Sequence, residues 1–303
     1  MRFVIIEDYL KAGKATVSAK KLARQITKPG TPLIEICNKC EEKIMENGAE
    51  LAFPLNISLN EIAAHYSSPI DDQSVVPEEG LLKLDFGAHV NGYIADTAIT
   101  INLNQDKKFD TFIIAAEEAL EAAIENFRPG VKLFEIGEKI SEKIIKHGLK
   151  PIMNLGGHRL LQYTLHAGEF VPNFKDKTHN QEIHIGDTYA IEPFTTNGVG
   201  RVKDGKNSYI YRFHKIIKKN VSYELKTAIS QIKQNFSTLP FSPRAILKKK
   251  LLPKNKIMQI INRLAGKGAL QHYPILVEVR NGFVAQAEHT VVVNKNETII
   301  TTK

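Results

Sequence analysis

Five side chains stand out against their surroundings. Asp85 and Asp96 lie in LKLDFGAHVNGYIADTAIT (82–100), Glu192 in YAIEPF and Glu288 in VAQAEHTVVV, all within apolar, strand-like runs; His158 follows two glycines in NLGGHR. Aspartate is depleted in strands, and burying a carboxylate among apolar neighbours is costly unless its charge is compensated. A cation would do so. Four acids with one imidazole form a carboxylate-rich set suited to two divalent ions that share bridging oxygens. Taken alone, the first pair also fits a solvent-facing hairpin with incidental acids.

The hairpin sets the geometry of that pair. Asn91-Gly92 supplies the two positive-φ residues of a type I′ turn, so Val90 faces Tyr93 and Asp96 faces Gly87. Asp85 lies two residues from Gly87, which makes Asp85 and Asp96 diagonal neighbours on one sheet face, about 7–8 Å apart at the backbone. A second Asn-Gly, at 281 and 282, predicts another hairpin between strands over 275–280 and 283–293.

The elements that position these residues are duplicated. TKPGTPLIEICNKCEEKIMENG (27–48) matches FRPGVKLFEIGEKISEKIIKHG (127–148) at 10 of 22 positions, at an offset of 100. Each unit reads as a helix, a Pro-Gly turn, an amphipathic helix closed by glycine, and then strands. Two similar halves about a pseudo-twofold axis would place a site between their meeting faces. His65 in AAHY and His166 in LHAG stand 101 residues apart, close to the offset, and are expected to flank it. Residues 200–272 interrupt this plan with a lysine-rich, mainly helical insertion. Its helices are expected over 223–236 after Ser222, over 243–252 after Ser242, and over 255–265.

Composition bounds the rest. The 303 residues are 43% hydrophobic and 24% charged, values of an ordinary globular chain that exclude disordered and collagen-like classes. MRFVIIEDYLKAGK has too short an apolar run for a signal-peptide core, and no segment approaches a membrane span; the chain reads as cytoplasmic. Cys37 and Cys40 form one C-x-x-C inside a helix with no second pair to complete a zinc site, and read as buried thiols. A net charge of +8, with lysines clustered at 215–219 and 248–250, favours acidic partners, ribosomal RNA among them, or a plain basic surface.

FPLNISLNEIAAHY, LDFGAHVNGYIADTA, NLGGH, LHAGE, AIEPF and QAEHT, in this order across nearly the whole chain, resemble the signatures of type II methionine aminopeptidases. The resemblance implies an α+β, pseudo-twofold "pita-bread" fold formed by 1–199 plus 273–303, with 200–272 as the helical, winged-helix-like insertion of that branch. It implies two divalent ions (cobalt, manganese, iron or zinc) and a hydroxide between them that attacks the amide. Asp96 and Glu288 would bridge the ions, Asp85 would complete one site, and His158 with Glu192 the other. Glu192 would shuttle the proton. His65 and His166 would donate to the substrate amide and the developing oxyanion, and Phe53, Leu165 and Tyr273 would line the methionine pocket. The implied substrates are nascent chains with an N-terminal methionine and a small second residue, met near the ribosome; no membrane and no sequence-specific DNA partner is expected. Two rivals share the fold: a proline-specific aminopeptidase, and a non-catalytic ribosome- or RNA-binding homologue, which would be expected to lose metal ligands.

Overall fold

The hundred-residue repeat is carried into the architecture. The computed structural model describes residues 6–104, 107, 109–217 and 221–303, so Lys218 and Lys219 of the first lysine cluster lie outside the described residues. Helices α1 (Ile6–Ile26) and α2 (Leu33–Glu46) are matched by α3 (Asp110–Asn126) and α4 (Leu133–Lys146), with α2 and α4 both 14 residues long. Leu33, Ile36, Cys37, Cys40 and Ile44 form the buried stripe of α2, and Leu133, Ile136, Gly137, Ile140 and Ile144 that of α4, the spacing of an amphipathic helix. Gly30 and Gly130 turn the chain at φ 81° and 87°, and their amides donate to Val76 and Ile183 respectively. Cys37 and Cys40 are fully buried free thiols, and burial pushes the Cys37 thiol up to about 12, which leaves both as core.

Each helical pair covers a sheet. Strands β1 (Glu50–Leu59), β3 (Leu81–Val90) and β4 (Tyr93–Asn102) form the first, in the order β1-β3-β4, behind α1 and α2. The short strand β2 (Ile62–Ala64) leaves it. In the second half, β6 (Gly156–Arg159), β7 (Phe170–Pro172), β8 (Thr188–Ile191), β13 (His289–Val293) and β14 (Thr298–Ile300) form a sheet ordered β14-β13-β8-β6-β7, packed on α3 and α4. A small sheet of β5 (Lys150–Pro151), β9 (Phe194–Thr196) and β12 (Val284–Gln286) lies alongside, in the order β12-β9-β5.

The first Asn-Gly hairpin forms in the expected register: Asn91 and Gly92 have φ of 52° and 82°, Val90 pairs with Tyr93, and Gly87 with Asp96. The second does not form. The long strand β10 (Val202–Phe213) and β2 take β11 (Leu270–Glu278) into a fourth sheet, while β12 pairs with β9. Glu278 is the cause. Its buried carboxylate accepts the amides of Arg280, Gly282 and Val199 at 2.7, 2.9 and 2.7 Å, turning 279–283 into a corner between sheets. Gly282 packs so closely on Gly198 that a Cβ at 282 would lie 2.5 Å from its backbone.

The insertion opens with β10, a strand that its lysines and glycine hid from a sequence reading. Helix α5 (Tyr223–Phe236) forms as expected, with the Ser222 hydroxyl accepting the Leu225 amide. Helix α6 (Pro243–Lys248) is shorter than expected: Lys250 turns left-handed at φ 54°, and Pro253 disfavours helix in the residue before it. A 3-10 turn at Lys254–Lys256 then leads into α7 (Ile257–Gly266). The three helices share a core of Leu225, Ile229, Ile246, Ile261 and Leu264 with Tyr211 and Phe241 from the neighbouring strand and loop.

Candidate metal centre

Every candidate site residue borders one cavity of about 200 Å³, located where the two halves meet. Asp85 and Asp96 reach it from β3 and β4. The other three come from adjacent strands of the second half: His158 pairs with Ala190 across β6 and β8, Glu192 follows β8, and Glu288 precedes β13. Phe53, Leu165 and Tyr273 form apolar wall, and His65 and His166 also line the cavity, both near the Tyr273 ring.

Threonines stitch the halves together. The Thr290 hydroxyl accepts the Asp96 amide at 2.7 Å and donates to the Asp96 carbonyl at 2.8 Å, and the Thr97 hydroxyl donates to the Glu288 carbonyl at 2.7 Å. Lys83, also buried at this seam, donates from β3 to the carbonyls of Asn60 and Val284. These bonds fix two ligand-bearing backbones against each other.

The resulting electrostatics are unfavourable for protein alone. Nε2 of His158 lies 3.6 Å from Asp96 Oδ2 and 3.8 Å from Glu192 Oε1, and Asp96, His158 and Glu288 each offer an atom within 4.8 Å of the others. Burial, then repulsion from Asp85 and Glu192, holds the Asp96 carboxyl well above its ordinary range. Glu288 is raised by burial and by Asp96, Glu192 by burial and by Asp85, and Asp85 reaches about 7 through burial. Burial lowers His158 to about 4, so its imidazole is neutral and able to ligate. Asp85 Oδ1, Asp96 Oδ1 and Glu288 Oε1 are buried without a hydrogen-bond donor. Such oxygens require a cation or protons, and the mixed carboxylate and imidazole donors fit divalent metal ions.

The two histidines differ in detail. His65 Nδ1 lies 3.1 Å from the Pro274 carbonyl, which only accepts, so Nδ1 carries the proton and Nε2 is left as an acceptor; burial lowers its pKa and keeps it neutral. This reverses the donor role expected of it. Its backbone sits at φ 67°, a strained conformation outside glycine. His166 stacks obliquely on His158 with ring centres 4.4 Å apart, and with Tyr273 it also borders a second pocket beside Arg212.

Two residues escaped the sequence reading. Gln286 donates its side-chain amide to Glu192 Oε2 at 3.0 Å and Glu288 Oε2 at 3.5 Å, joining two carboxylates that would otherwise only repel. Its place two residues before Glu288 on one strand face was the available signal. Asn56 faces Asp85 across β1 and β3 and borders the cavity, a position that depended on irregular strand register.

A family model, Metallopeptidase family M24, matches residues 7–295. The methionine aminopeptidase of Pyrococcus abyssi is 39% identical over 298 residues, covering 98% of this chain and 99% of its own. The chain belongs to the methionine aminopeptidases of metallopeptidase family M24. The corresponding enzyme of Saccharolobus solfataricus is 42% identical, with 98% of each chain covered. Among solved structures, a thermophilic Arx1 superposes with a TM-score of 0.85, covering 99% of this chain and 91% of its own at 14% identity, a likeness of fold alone. Membership in a metallopeptidase family agrees with the donor-poor carboxylates: this peptidase binds divalent metal. Among the described residues, no helix is long and apolar enough to cross a membrane.

Proposed function

We propose that this peptidase, which removes N-terminal methionine by metal-dependent hydrolysis, does so at the cavity between its halves, with two divalent ions held by Asp85, Asp96, His158, Glu192 and Glu288. The observation that carries the reading is the cluster of buried, donor-poor carboxylates in a cavity whose lining also includes the apolar Phe53, Leu165 and Tyr273. The apolar walls suit an unbranched thioether, and the unpaired carboxylates suit the free amino group that only a chain terminus provides. Asp96 and Glu288, whose backbones the threonine seam ties together, would both help to hold the ions. Cobalt, manganese, iron and zinc all suit the donor set.

When bound, divalent ions lower the pKa of water towards neutrality and polarise the scissile carbonyl. The chain's own groups do the remaining work. Glu192, with Oε2 engaged by Gln286, keeps Oε1 to take a proton from water and deliver it to the leaving amine. His65 Nε2 accepts the N–H of the scissile amide and so orients the bond. His166 donates to the carbonyl oxygen as negative charge develops there. Its substrates are nascent chains that retain their initiator methionine.

A peptide series beginning Met-Gly, Met-Ala, Met-Val, Met-Leu and Met-Lys, with Met-Pro added, tests the reading. Methionine release is expected from the small second residues and not from Leu or Lys, which would crowd the metal-facing end. Equal rates throughout, or cleavage confined to peptides with proline second, would contradict it.

A further inference from the structure

The insertion is joined to the catalytic halves by one buried cation. Arg244, the second residue of α6, is 5% exposed, and every donor of its guanidinium is used. Nε donates to the Ser68 carbonyl at 2.6 Å. One terminal nitrogen donates to Asn38 Oδ1 at 2.9 Å and Glu41 Oε2 at 2.8 Å, and the other to Glu41 Oε1 at 2.7 Å and the Ser67 hydroxyl at 3.1 Å. All these acceptors lie outside the insertion. A fully buried ion pair of this kind is a weak source of stability, since apolar residues of similar volume often serve as well. Its geometry therefore calls for another account.

The acceptors converge on the segments that shape the cavity. Ser67 and Ser68 lie two and three residues after His65, whose left-handed backbone needs support from its surroundings. Glu41 Oε1 also accepts the Leu55 amide at 3.2 Å, on β1 between Phe53 and Asn56, both of which border the cavity. On its other side His65 is held by the Pro274 carbonyl of β11, the strand by which the chain returns from the insertion. The His65 segment is thus tied to α6 through Ser67 and Ser68, and to the exit strand through His65 itself.

We propose that Arg244 is a positioning residue for the hydrolysis: through Ser67 and Ser68 it fixes the backbone of His65, so that the insertion sets the turnover rate without touching substrate. This rests on the reading of His65 as the group that orients the scissile amide. Loss of the guanidinium lets the His65 segment relax, and a displacement on the order of 1 Å can cost up to about a hundredfold in rate.

The test is a double-mutant cycle between Arg244→Met and His65→Ala, read as kcat and KM for a Met-Ala peptide with bound metal measured in each protein. Arg244→Met alone is expected to lower kcat roughly tenfold to a hundredfold, with KM changed less than about threefold and metal content unchanged. In the His65→Ala background the same substitution should cost little further. Glu41→Met/Arg244→Met removes both charges, avoids an orphaned buried carboxylate, and should show the same dependence on His65 if the single variant folds poorly. Losses that multiply undiminished in the His65→Ala background, with His65→Ala itself impaired, overturn the proposal alone. An unimpaired His65→Ala enzyme overturns both the reading of His65 and the proposal.

Discussion

The two halves share a scaffold but not a method of building a site. The first half delivers two carboxylates from one hairpin, Asp85 and Asp96, in a register set by Asn91-Gly92. The second delivers His158, Glu192 and Glu288 from three strands brought side by side, and its own Asn-Gly became a corner because Glu278 captured the turn amides. Helices and Pro-Gly turns repeat because they solve the same packing problem twice. The candidate ligands are delivered asymmetrically, and the seam between β4 and the 286–290 segment helps to bring them together.

If the halves were equivalent in function, the paired histidines would be too. His166→Ala is expected to lower kcat about 10²–10³-fold with metal retained, the cost of removing a donor to a developing oxyanion. His65→Ala, which removes an acceptor to the substrate, should cost less, and equal losses would restore the symmetric view. Metal lost from either variant, measured by elemental analysis, would place that histidine among the ligands.

Gln286 sharpens the comparison, because it joins two acids of the second half and none of the first. Gln286→Ala should weaken metal binding or activity by about 10- to 100-fold, as expected when a partner that orients ligands is lost. An unchanged metal titration would assign Gln286 to packing.

The first half has a pH signature of its own. The Asp85 carboxyl titrates near 3.8 in the unfolded chain and about 7 in the folded one, so the folded chain holds the proton longer. Its contribution to stability is present below the unfolded value and is lost as pH rises through the folded one. Metal-free wild type should therefore lose Tm relative to Asp85→Asn from about pH 4 to pH 8, a comparison that cancels buried histidines such as His158, whose lowered pKa acts in the opposite sense. Metal should flatten this loss. A metal-free Tm difference between wild type and Asp85→Asn that stays constant over this range would contradict the account.

The smallest effect is expected in the insertion's lysines. Lys248 pairs with Glu42 at 2.8 Å, and Lys249 lies over Phe236, so this cluster is partly engaged within the chain. Reversing Lys248, Lys249 and Lys250 to glutamate should spare peptide turnover, cost about 0–1 kcal/mol of stability at the half-exposed Lys248–Glu42 pair, and weaken salt-sensitive co-sedimentation with ribosomes. Wild-type co-sedimentation across a salt titration would remove docking from this patch's roles.

Much of this was legible in the chain because local chemistry decided it. The repeat, the first hairpin register and the odd acids in apolar strands each follow from short-range rules, and the structure brings all ten expected residues to one cavity. What stayed hidden depended on partners far away in sequence. The Asn281-Gly282 corner needed Glu278 to meet Val199, strand β10 needed β11, and the His65 tautomer needed Pro274. Gln286 and Arg244 read as ordinary polar residues until their acceptors, 94 and about 200 positions distant, are known.

The central claim is that carboxylates from both halves form one two-ion site that drives methionine release. Titrating metal-free wild type, Asp96→Ala and Glu288→Ala with Mn²⁺, with methionine release followed at each point, tests it most directly. Two ions per wild-type chain, activity that appears with their binding, and loss of both tight binding and release in either variant are predicted. Methionine release by a variant at the wild-type rate, or two tightly bound ions in Asp96→Ala or Glu288→Ala, would contradict it.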